Sequence, residues 1–381
     1  MTWRDRARDL AATLEKTGDL HDHRWRAAVE EVPRHEFVPA FYLPGDDDPG
    51  VWHRVGVDHD GYLDAVYTDQ TLVTYLDPHT AANAGTGLAG VPSSSSTRPG
   101  LVVRMLETLG VEAHHAVLDI GTATGYQAAL IAHRLNASGR LTTADIDPLF
   151  TTHAQAALQL LGYTPEVVTC DATTYLWSEM FDRIISGCAL PRITDTLRAA
   201  LRPGGRLIAP LMPPLGCALV VLTAEDHGVL EGRFLPGQVA VMPARQHPAS
   251  YPAPAAGPGV TAATITGTST VPVEAFDDPC FLFLLAGHLP GVDLQTGDGD
   301  TVPVRRLVMP DGSWAEGRFA PHQPVLWREV GDHRIRRTLN RCWTWYLQHD
   351  RPAFDRFGLT ITSTGTHRLW FDSPNHVLTS F

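Results

Sequence analysis

Two glycines and a neighbouring acid mark the first place where the chain could hold a small ligand. A short apolar run ends at an acid, a bend with two glycines follows, and apolar residues then recur at helical spacing. This order predicts a strand, a turn and a helix. Glycine lets a backbone approach a ligand closely, and a helix start presents unpaired N–H groups. The candidate ligand-binding residues here are Asp119, Gly121, Thr122, Ala123, Thr124, Gly125 and Tyr126.

Acids also follow the next two predicted strands. Asp145 and Ile146 come after the strand 141–144, and Asp171 and Ala172 come after the strand 166–170. The first acid is placed to accept hydrogen bonds from ribose hydroxyls, and the second could meet an adenine amino group. In the alternative interpretation the glycines serve only tight turns, but three strand ends in the correct order weaken it.

The Gly-Thr-Ala-Thr-Gly bend differs from the dinucleotide fingerprint G-x-G-x-x-G. It resembles the glycine turn of the S-adenosylmethionine methyltransferases. That resemblance implies a Rossmann-like α/β fold of class I with a mostly parallel sheet, and S-adenosylmethionine as the cofactor. It also implies that S-adenosylhomocysteine is the product.

A run of hydroxyl side chains precedes a second predicted helix. The run and its basic neighbour are Ser93, Ser94, Ser95, Ser96, Thr97 and Arg98. In one interpretation the hydroxyls, the free helix N–H groups and the guanidinium hold a carboxylate. In the other, a flexible serine linker ends in an ordinary helix cap at Thr97, followed by Pro99 in the first turn. The residues alone favour the second interpretation.

Composition limits the classes of function. The chain has 381 residues and a net charge of −12, so it lacks the basic footprint of a nucleic-acid-binding protein. Five cysteines without a C-x-x-C pair predict free thiols in a reducing compartment. No His or Cys spacing indicates a metal site. We found neither a membrane-spanning stretch nor a signal-peptide core, so we expect a cytoplasmic protein without a membrane partner.

The pattern divides the chain into two domains and a linker. Residues 1–245 are predicted to form the catalytic domain, 246–260 a Pro/Ala linker, and 261–381 a smaller α+β domain. In the last domain, Trp343, Trp345 and Tyr346 are interpreted as core residues, with a peptide-docking surface as the alternative.

Several connecting segments are predicted with less regular structure. We expect loops at 41–64 and 77–91, a short strand within 66–74, and a turn at 203–205 before the strand 206–210. Closing strands are expected at 218–223 and 238–242.

The first two thirds of the chain resembles the protein L-isoaspartate O-methyltransferases. Its segments Val-Pro-Arg through Phe-Val-Pro (32–39), Tyr-Thr-Asp (67–69) and Gly-Tyr-Gln-Ala-Ala (125–129) are similar to that family's motifs, as are 181–184 and 201–207. Thr97 lies where the family has a serine that contacts the isoaspartyl carboxylate. The resemblance therefore implies that Thr97 is catalytic and favours the carboxylate-holding interpretation of the hydroxyl run. On that interpretation Ser96 acts with Thr97, and Ser93, Ser94, Ser95, Arg98 and Asp69 bind the substrate.

The long 83–90 segment, the serine run and the C-terminal domain depart from the repair enzymes. These features, with segments 69–74, 357–360 and 370–374, are similar to the methyltransferases of ATP-grasp peptide maturation. That resemblance implies methylation of an Asp side chain in a ribosomal precursor peptide already crosslinked by an ATP-grasp ligase, a graspetide, followed by aspartimide formation. It also implies that the C-terminal domain recognises the peptide. Isoaspartyl repair and a non-catalytic scaffold are the alternatives.

Overall fold

We describe the fold from a computed structural model of the chain. The residues it describes are 1–45, 48, 50–85, 87–135, 137–211, 215–245, 264–298, 302–320, 323, 325–331 and 334–381. They belong to two compact units. The first comprises Met1–Cys188, Thr194–Ile208 and Ala244–Tyr251, and the second comprises Ala189–Ile193, Ala209–Pro243 and Pro252–Phe381.

The first unit holds the predicted cofactor turn. Its helices are α1 (Trp3–Thr17), α2 (His23–Glu31), α3 (Arg34–Phe37), α4 (Tyr62–Val66), α5 (Pro99–Leu109), α6 (Tyr126–Arg134), α7 (Pro148–Leu160) and α8 (Asp195–Ala200). Its strands are β1 (Ala40–Pro44), β2 (Val51–Gly56), β3 (Leu72–Leu76), β4 (Ala82–Ala84), β5 (Gly87–Ala89), β6 (Pro92–Ser96), β7 (Ala116–Ile120), β8 (Arg140–Asp145), β9 (Glu166–Thr169), β10 (Phe181–Ser186) and β11 (Leu201–Leu211), which continues into the second unit.

Strands β7 to β11 form the predicted parallel sheet. Their order is β11–β10–β7–β8–β9, and every pairing within this set is parallel. The chain therefore starts at the central strand β7, fills one side with β8 and β9, and then returns to fill the other. Ligands of open α/β sheets bind beyond the carboxyl ends of the strands at such a reversal point. The Rossmann-like α/β fold is confirmed.

The segment before the parallel sheet is more regular than predicted. An antiparallel sheet in the order β4–β5–β2–β1–β3–β6 occupies positions 40–96. The loop predicted at 41–64 contains β1 and β2, and the loop predicted at 77–91 contains the short pair β4 and β5. Of the predicted strand 66–74, only the part from Leu72 onward is extended. These strands were not predicted because their segments are rich in acidic and small residues, which have low strand propensity. Antiparallel pairing with neighbouring strands stabilises them instead.

Two predicted boundaries near the end of the parallel sheet were wrong. The turn predicted at 203–205 is an irregularity within the continuous strand β11, where Gly204 has a φ of 73°. The closing strand predicted at 218–223 is confirmed as Ala218–Ala224, but the next one lies at Leu230–Gln238 and not at 238–242.

The second unit is an α+β assembly. Its strands are β12 (Ala218–Ala224), β13 (Leu230–Gln238), β14 (Thr264–Ser269), β15 (Asp293–Asp298), β16 (Pro303–Val308), β17 (Trp314–Arg318), β18 (Val325–Val330), β19 (Phe357–Ile361), β20 (His367–Phe371) and β21 (Val377–Ser380). Its helices are α9 (Pro279–His288) and α10 (Arg334–Gln348). The strands form two antiparallel sets, ordered β12–β13–β19–β20–β21 and β14–β18–β17–β16–β15.

The observed units differ from the predicted domains 1–245 and 261–381. Residues 209–243 belong to the second unit, because β13 pairs with β19 through contacts such as Leu230 opposite Ile361. A strand pairing between segments so far apart in the chain cannot be predicted from local composition. The predicted linker 246–260 lies outside the described residues.

The aromatic residues of α10 divide between core and surface. Trp343 and Tyr346 are buried with Ile335 and Leu339, so the core interpretation holds for them. Trp345 is only half-buried. Among the described residues, we find no helix with the length and apolar character needed to cross a membrane.

Candidate functional site

The glycine bend between β7 and α6 is held by backbone hydrogen bonds. The N–H groups of Gly121 and Thr122 donate to the carbonyl oxygen of Ala144 at 2.8 and 3.2 Å, which ties the bend to β8. Gly121 and Gly125 have φ values of 87° and 88°, a region that favours glycine. A Cβ added to Gly125 would lie 3.0 Å from the Cβ of Ala154. Both glycines are therefore required by conformation, and Gly125 also by packing.

Asp119 lies at the carboxyl end of β7 and is completely buried. Its carboxylate accepts hydrogen bonds from Gln127 Nε2 at 2.6 Å and from Thr143 Oγ1 at 2.8 Å. Burial raises the pKa of Asp119 to about 6, although these hydrogen bonds oppose the shift. The acid thus joins α6 and β8 beneath the bend.

Asp145 ends β8 and holds the other side of the bend. Its Oδ2 accepts from the Ala123 N–H at 2.9 Å and its Oδ1 from the Asp147 N–H at 3.1 Å. Burial raises the pKa of this carboxyl as well. A carboxylate has about four acceptor sites, so two remain available to ribose hydroxyls. Half-buried Ile146 follows in the same turn.

Asp171 and Ala172 follow β9, the edge strand of the parallel sheet. The Asp171 Oδ1 accepts from the backbone N–H of Thr173 at 2.9 Å and from its hydroxyl at 2.6 Å. The Oδ2 receives no hydrogen bond from the residues that the structure describes. Ala172 is buried. The pair therefore leaves one acceptor available, as an adenine amino group requires.

These residues fit S-adenosylmethionine. The glycine bend would hold its methionine part, Asp145 its ribose, and Asp171 with Ala172 its adenine. The sheet brings all of them to the carboxyl ends of β7, β8 and β9, as predicted. When bound, this cofactor supplies an electrophilic methyl group on a sulfonium.

The serine run is a strand and not a flexible linker. β6 pairs with β3, with Ser96 opposite Leu72 and Ser95 opposite Val73. Ser94 accepts a hydrogen bond from the Thr74 hydroxyl at 3.2 Å. Ser93, Ser94 and Ser96 are buried, and Thr97 is half-buried at the strand end. The run therefore forms a fixed element that leads directly to Thr97.

The start of α5 is already occupied by a carboxylate of the chain. Asp69 accepts from the Gly100 N–H at 2.6 Å and from Arg98 Nη1 at 2.7 Å. The predicted cap at Thr97 was wrong, because Arg98 is the N-cap residue and its side chain makes no capping bond. The predicted substrate-binding residues Arg98 and Asp69 bind each other. Asp19 also lies 3.5 Å from Arg98.

Arg34 carries a contact set that the sequence did not reveal. Its side chain is completely buried between the segments at 66–70 and 96–97. Its two Nη atoms donate to the carbonyl oxygens of Val66 (2.8 Å), Thr68 (2.9 Å), Gln70 (3.1 Å), Ser96 (3.4 Å) and Thr97 (3.4 Å), and to the Ser96 hydroxyl (3.3 Å). The guanidinium also lies 5.7 Å from the ring centroid of Tyr126.

Arg34 therefore connects the two halves of the candidate site. It contacts the Ser96–Thr97 segment on one side and Tyr126, the first residue of α6, on the other. A second connection joins Tyr75 of β3 to Phe150 of α7, with ring centroids 5.6 Å apart. The hydroxyl strand and the glycine bend are thus neighbours within one unit, as the predicted transfer requires.

Two residues that hold the candidate site together were not predicted, because their contacts are made by side chains that meet only in the folded chain. Arg34 appeared only as a letter of the Val-Pro-Arg motif, and Gln127 only as a letter after the bend. The one available signal was an arginine directly after a proline and close to Phe37 and Val38. Among the described residues, no group of three His, Cys, Asp or Glu converges as a metal site would.

Comparison with known proteins agrees with this geometry. The family model "Protein-L-isoaspartate(D-aspartate) O-methyltransferase (PCMT)" matches residues 57–233. The "Protein-L-isoaspartate O-methyltransferase 2" of Shewanella sediminis is 30% identical over 218 residues, which is 56% of this chain and 73% of that protein. The "Protein-L-isoaspartate O-methyltransferase 1" of Nitrosospira multiformis is 33% identical over 219 residues, which is 55% of this chain and 76% of that protein.

A solved structure of a protein-L-isoaspartate O-methyltransferase has the same fold over nearly the whole chain. It covers 96% of this chain and 100% of its own, with a TM-score of 0.55 and 17% identity. The chain belongs to the protein-L-isoaspartate O-methyltransferase family, whose members are S-adenosylmethionine-dependent carboxyl methyltransferases.

Proposed function

We propose that the protein methylates the side-chain carboxylate of an aspartate in a ribosomal precursor peptide of graspetide type. The observation that supports carboxyl transfer is the Arg34 connection between the Ser96–Thr97 segment and the start of α6. The peptide class is supported by the resemblance of segments 69–74, 93–99, 357–360 and 370–374 to maturation methyltransferases.

The proposed transfer needs no general base. An aspartate has an ordinary pKa near 3.9, so its carboxylate is ionised at neutral pH. An oxygen of this carboxylate bonds to the methyl carbon while the carbon–sulfur bond breaks, and the electron pair stays on sulfur. No proton moves, and the reaction gives a methyl ester and a neutral thioether.

Orientation is then the main task of the protein. Thr97 and Ser96 would direct one carboxylate oxygen toward the methyl group, from a strand end held by β3 and Arg34. Fixed geometry of this kind can raise effective concentrations to roughly 10⁵ M or more. Neutral hydroxyls suit the task because a very tightly held anion would be a poor nucleophile.

The ester would next be converted to an aspartimide. The backbone nitrogen that follows the modified aspartate attacks the ester carbon, the bond to the methoxy group breaks, and the amide proton leaves with it as methanol. This step requires little from the protein, because an ester loses methanol more readily than a carboxylate loses water.

We further infer that the second unit recognises the peptide. Arg337, Arg341 and Trp345 lie at intervals of four on one face of α10. His349, directly after the helix, extends this row because its N–H donates to the Trp345 carbonyl oxygen. Arg337 and Arg341 are exposed, and no described carboxylate lies within ion-pair distance of either. Trp345 stacks on His349 with centroids 3.9 Å apart. In a chain of net charge −12, this basic and aromatic row suits an acidic peptide.

Isoaspartyl repair is the second candidate, because the relatives bear that name. Mass spectrometry separates the candidates when the enzyme receives methyl-labelled S-adenosylmethionine with a linear precursor, a crosslinked precursor or an isoaspartyl peptide. We expect labelled ester on a precursor Asp, followed by loss of methanol. Label on the isoaspartyl peptide alone would establish repair. Cofactor binding without label on any peptide would exclude both.

A further inference from the structure

The acceptor carboxylate needs a counter-charge, and the predicted one is already neutralised. Arg98 donates to Asp69 at 2.7 Å and lies 3.5 Å from Asp19, so two carboxylates surround this partly exposed cation. The N–H of Gly100 is bound by the same Asp69. A substrate anion at the start of α5 would therefore face two negative charges and a neutralised arginine.

The buried cation at the same segment has no ion-pair partner. Arg34 donates only to carbonyl oxygens and one hydroxyl, and no carboxylate of the described residues lies within ion-pair distance. The acid that most affects it electrostatically is Asp69, which is committed to Arg98 and Gly100. Burial lowers the pKa of Arg34 to about 10, so the group remains protonated at neutral pH.

Two buried polar groups in or close to the Arg34 guanidinium also lack hydrogen-bond partners within the described chain. Neither Arg34 Nε nor the Tyr126 hydroxyl has a hydrogen-bond partner among the described residues, although both are buried. A buried charge without a counter-ion is costly, and it persists where another group compensates it. The Nη2 atom lies 3.4 Å from the Thr97 carbonyl oxygen and 3.3 Å from the Ser96 hydroxyl.

We propose that Arg34 is the positioning residue that supplies the counter-charge for the acceptor carboxylate at Thr97. The guanidinium acts through space and through the Ser96–Thr97 backbone that it holds, because its Nη donors are already engaged. Salt screens a charge in the buried interior less than a charge at the surface. The guanidinium can therefore favour an anionic acceptor without a direct hydrogen bond to it. This inference rests on the proposed acceptor site but holds for either peptide class.

The test compares an acceptor peptide with its neutral analogue. The pair is the peptide that the labelling experiment identifies, in its Asp form and with Asn at that position, or an isoaspartyl peptide with its isoasparaginyl analogue. Binding is measured in the presence of S-adenosylhomocysteine. We expect the wild-type protein to bind the acid roughly tenfold more tightly than the amide, as one nearby opposite charge would produce.

Arg34→Met should reduce that ratio to near one, and Arg34→Lys should keep most of it. Equal weakening of both peptides by Arg34→Met would show a merely structural role and overturn the proposal. Arg98→Gln tests the other cation, and loss of the ratio in that variant would also overturn it.

The wild-type protein gives a further readout if Arg34→Met does not fold. A buried counter-charge predicts an acid preference that changes little between low and high salt, whereas the partly exposed Arg98 predicts a preference that salt weakens strongly. A salt-sensitive ratio would contradict the proposal. If neither peptide class is methylated, the proposed function fails instead, and the labelling experiment shows this separately.

Discussion

At the scale of single residues, Asp119 couples the cofactor bend to the pH dependence of stability. It is completely buried, and its pKa is raised to about 6 against an unfolded value near 3.9. Between these values the folded state binds more protons than the unfolded state. The free energy of unfolding therefore falls as the pH rises from about 4 to about 6, and this contribution is then constant.

Asp119→Asn should remove this dependence. Its amide can accept from Gln127 and donate to Thr143, which replaces both hydrogen bonds of the carboxylate. Denaturant titrations should show the variant gaining stability over the wild type between pH 4 and pH 6, by at most about 3 kcal/mol. A constant difference across this range would contradict the assignment.

Thr97→Ala should separate acceptor orientation from cofactor binding. We expect kcat/KM for the peptide to fall roughly 100-fold, because a lost orienting contact affects the transition state. The affinity for S-adenosylmethionine, measured by calorimetry, should stay nearly unchanged.

Asp145→Ala should have the opposite effect to Thr97→Ala, because it should weaken cofactor binding. It removes the acceptor predicted for the ribose and the contact to the Ala123 N–H, so the Kd for the cofactor should rise roughly tenfold or more. Equal loss of both functions in Thr97→Ala would mean that this hydroxyl is structural.

At the scale of elements, the bend before α6 depends on glycine for two different reasons. Gly125→Ala would add a conformational cost at φ 88° and a contact 3.0 Å from the Ala154 Cβ. Gly162→Ala is the matched control, because Gly162 has a φ of 80° but open space around the added Cβ.

Thermal unfolding and cofactor titration distinguish the two substitutions. The control should lose about 1 kcal/mol through backbone strain alone. Gly125→Ala should lose more stability and should also weaken S-adenosylmethionine binding. Similar losses in both variants would show that the contact with Ala154 relaxes freely.

Elements whose order is set by local pattern were predictable from the sequence. The strand, bend and helix around Gly121, the acid that ends β8 and the acid that follows β9 were predictable from short-range periodicity. The serine strand β6 did not, because four consecutive serines have low strand propensity and become a strand only by pairing with β3. For the same reason, the pairing of Arg98 with Asp69 could not be inferred, since 28 residues separate them along the chain.

At the scale of the whole molecule, the second unit should act on substrate affinity rather than on the chemical step. Arg341→Glu reverses one charge of the exposed row on α10 and should raise KM for the precursor roughly tenfold at low salt, with kcat nearly unchanged. The increase should shrink at high salt.

Arg368→Glu is the control for that substitution, since it makes the same change of net charge at another exposed arginine of the unit. Steady-state kinetics at two salt concentrations give the comparison. An equal rise in KM for both variants would reduce the effect to overall charge and exclude a docking row on α10.

The composition of the chain revealed that there are two parts but not where they divide. The Pro/Ala-rich stretch suggested a simple order of one domain after the other. The boundary instead falls within β11, since Ala209–Pro243 belongs with the C-terminal residues. Local composition identifies a linker, but only strand pairing identifies the unit to which a hairpin belongs.

The hairpin of β12 and β13 has a practical consequence for dissecting this enzyme. A fragment ending at residue 245 would retain β13 but lose β19, its partner along Leu230–Arg233. The unpaired backbone groups of β13 would then form an exposed sheet edge, which is a template for aggregation. An inactive or insoluble fragment would consequently reveal nothing about which half performs catalysis, and the two parts are better distinguished by substitutions on their surfaces.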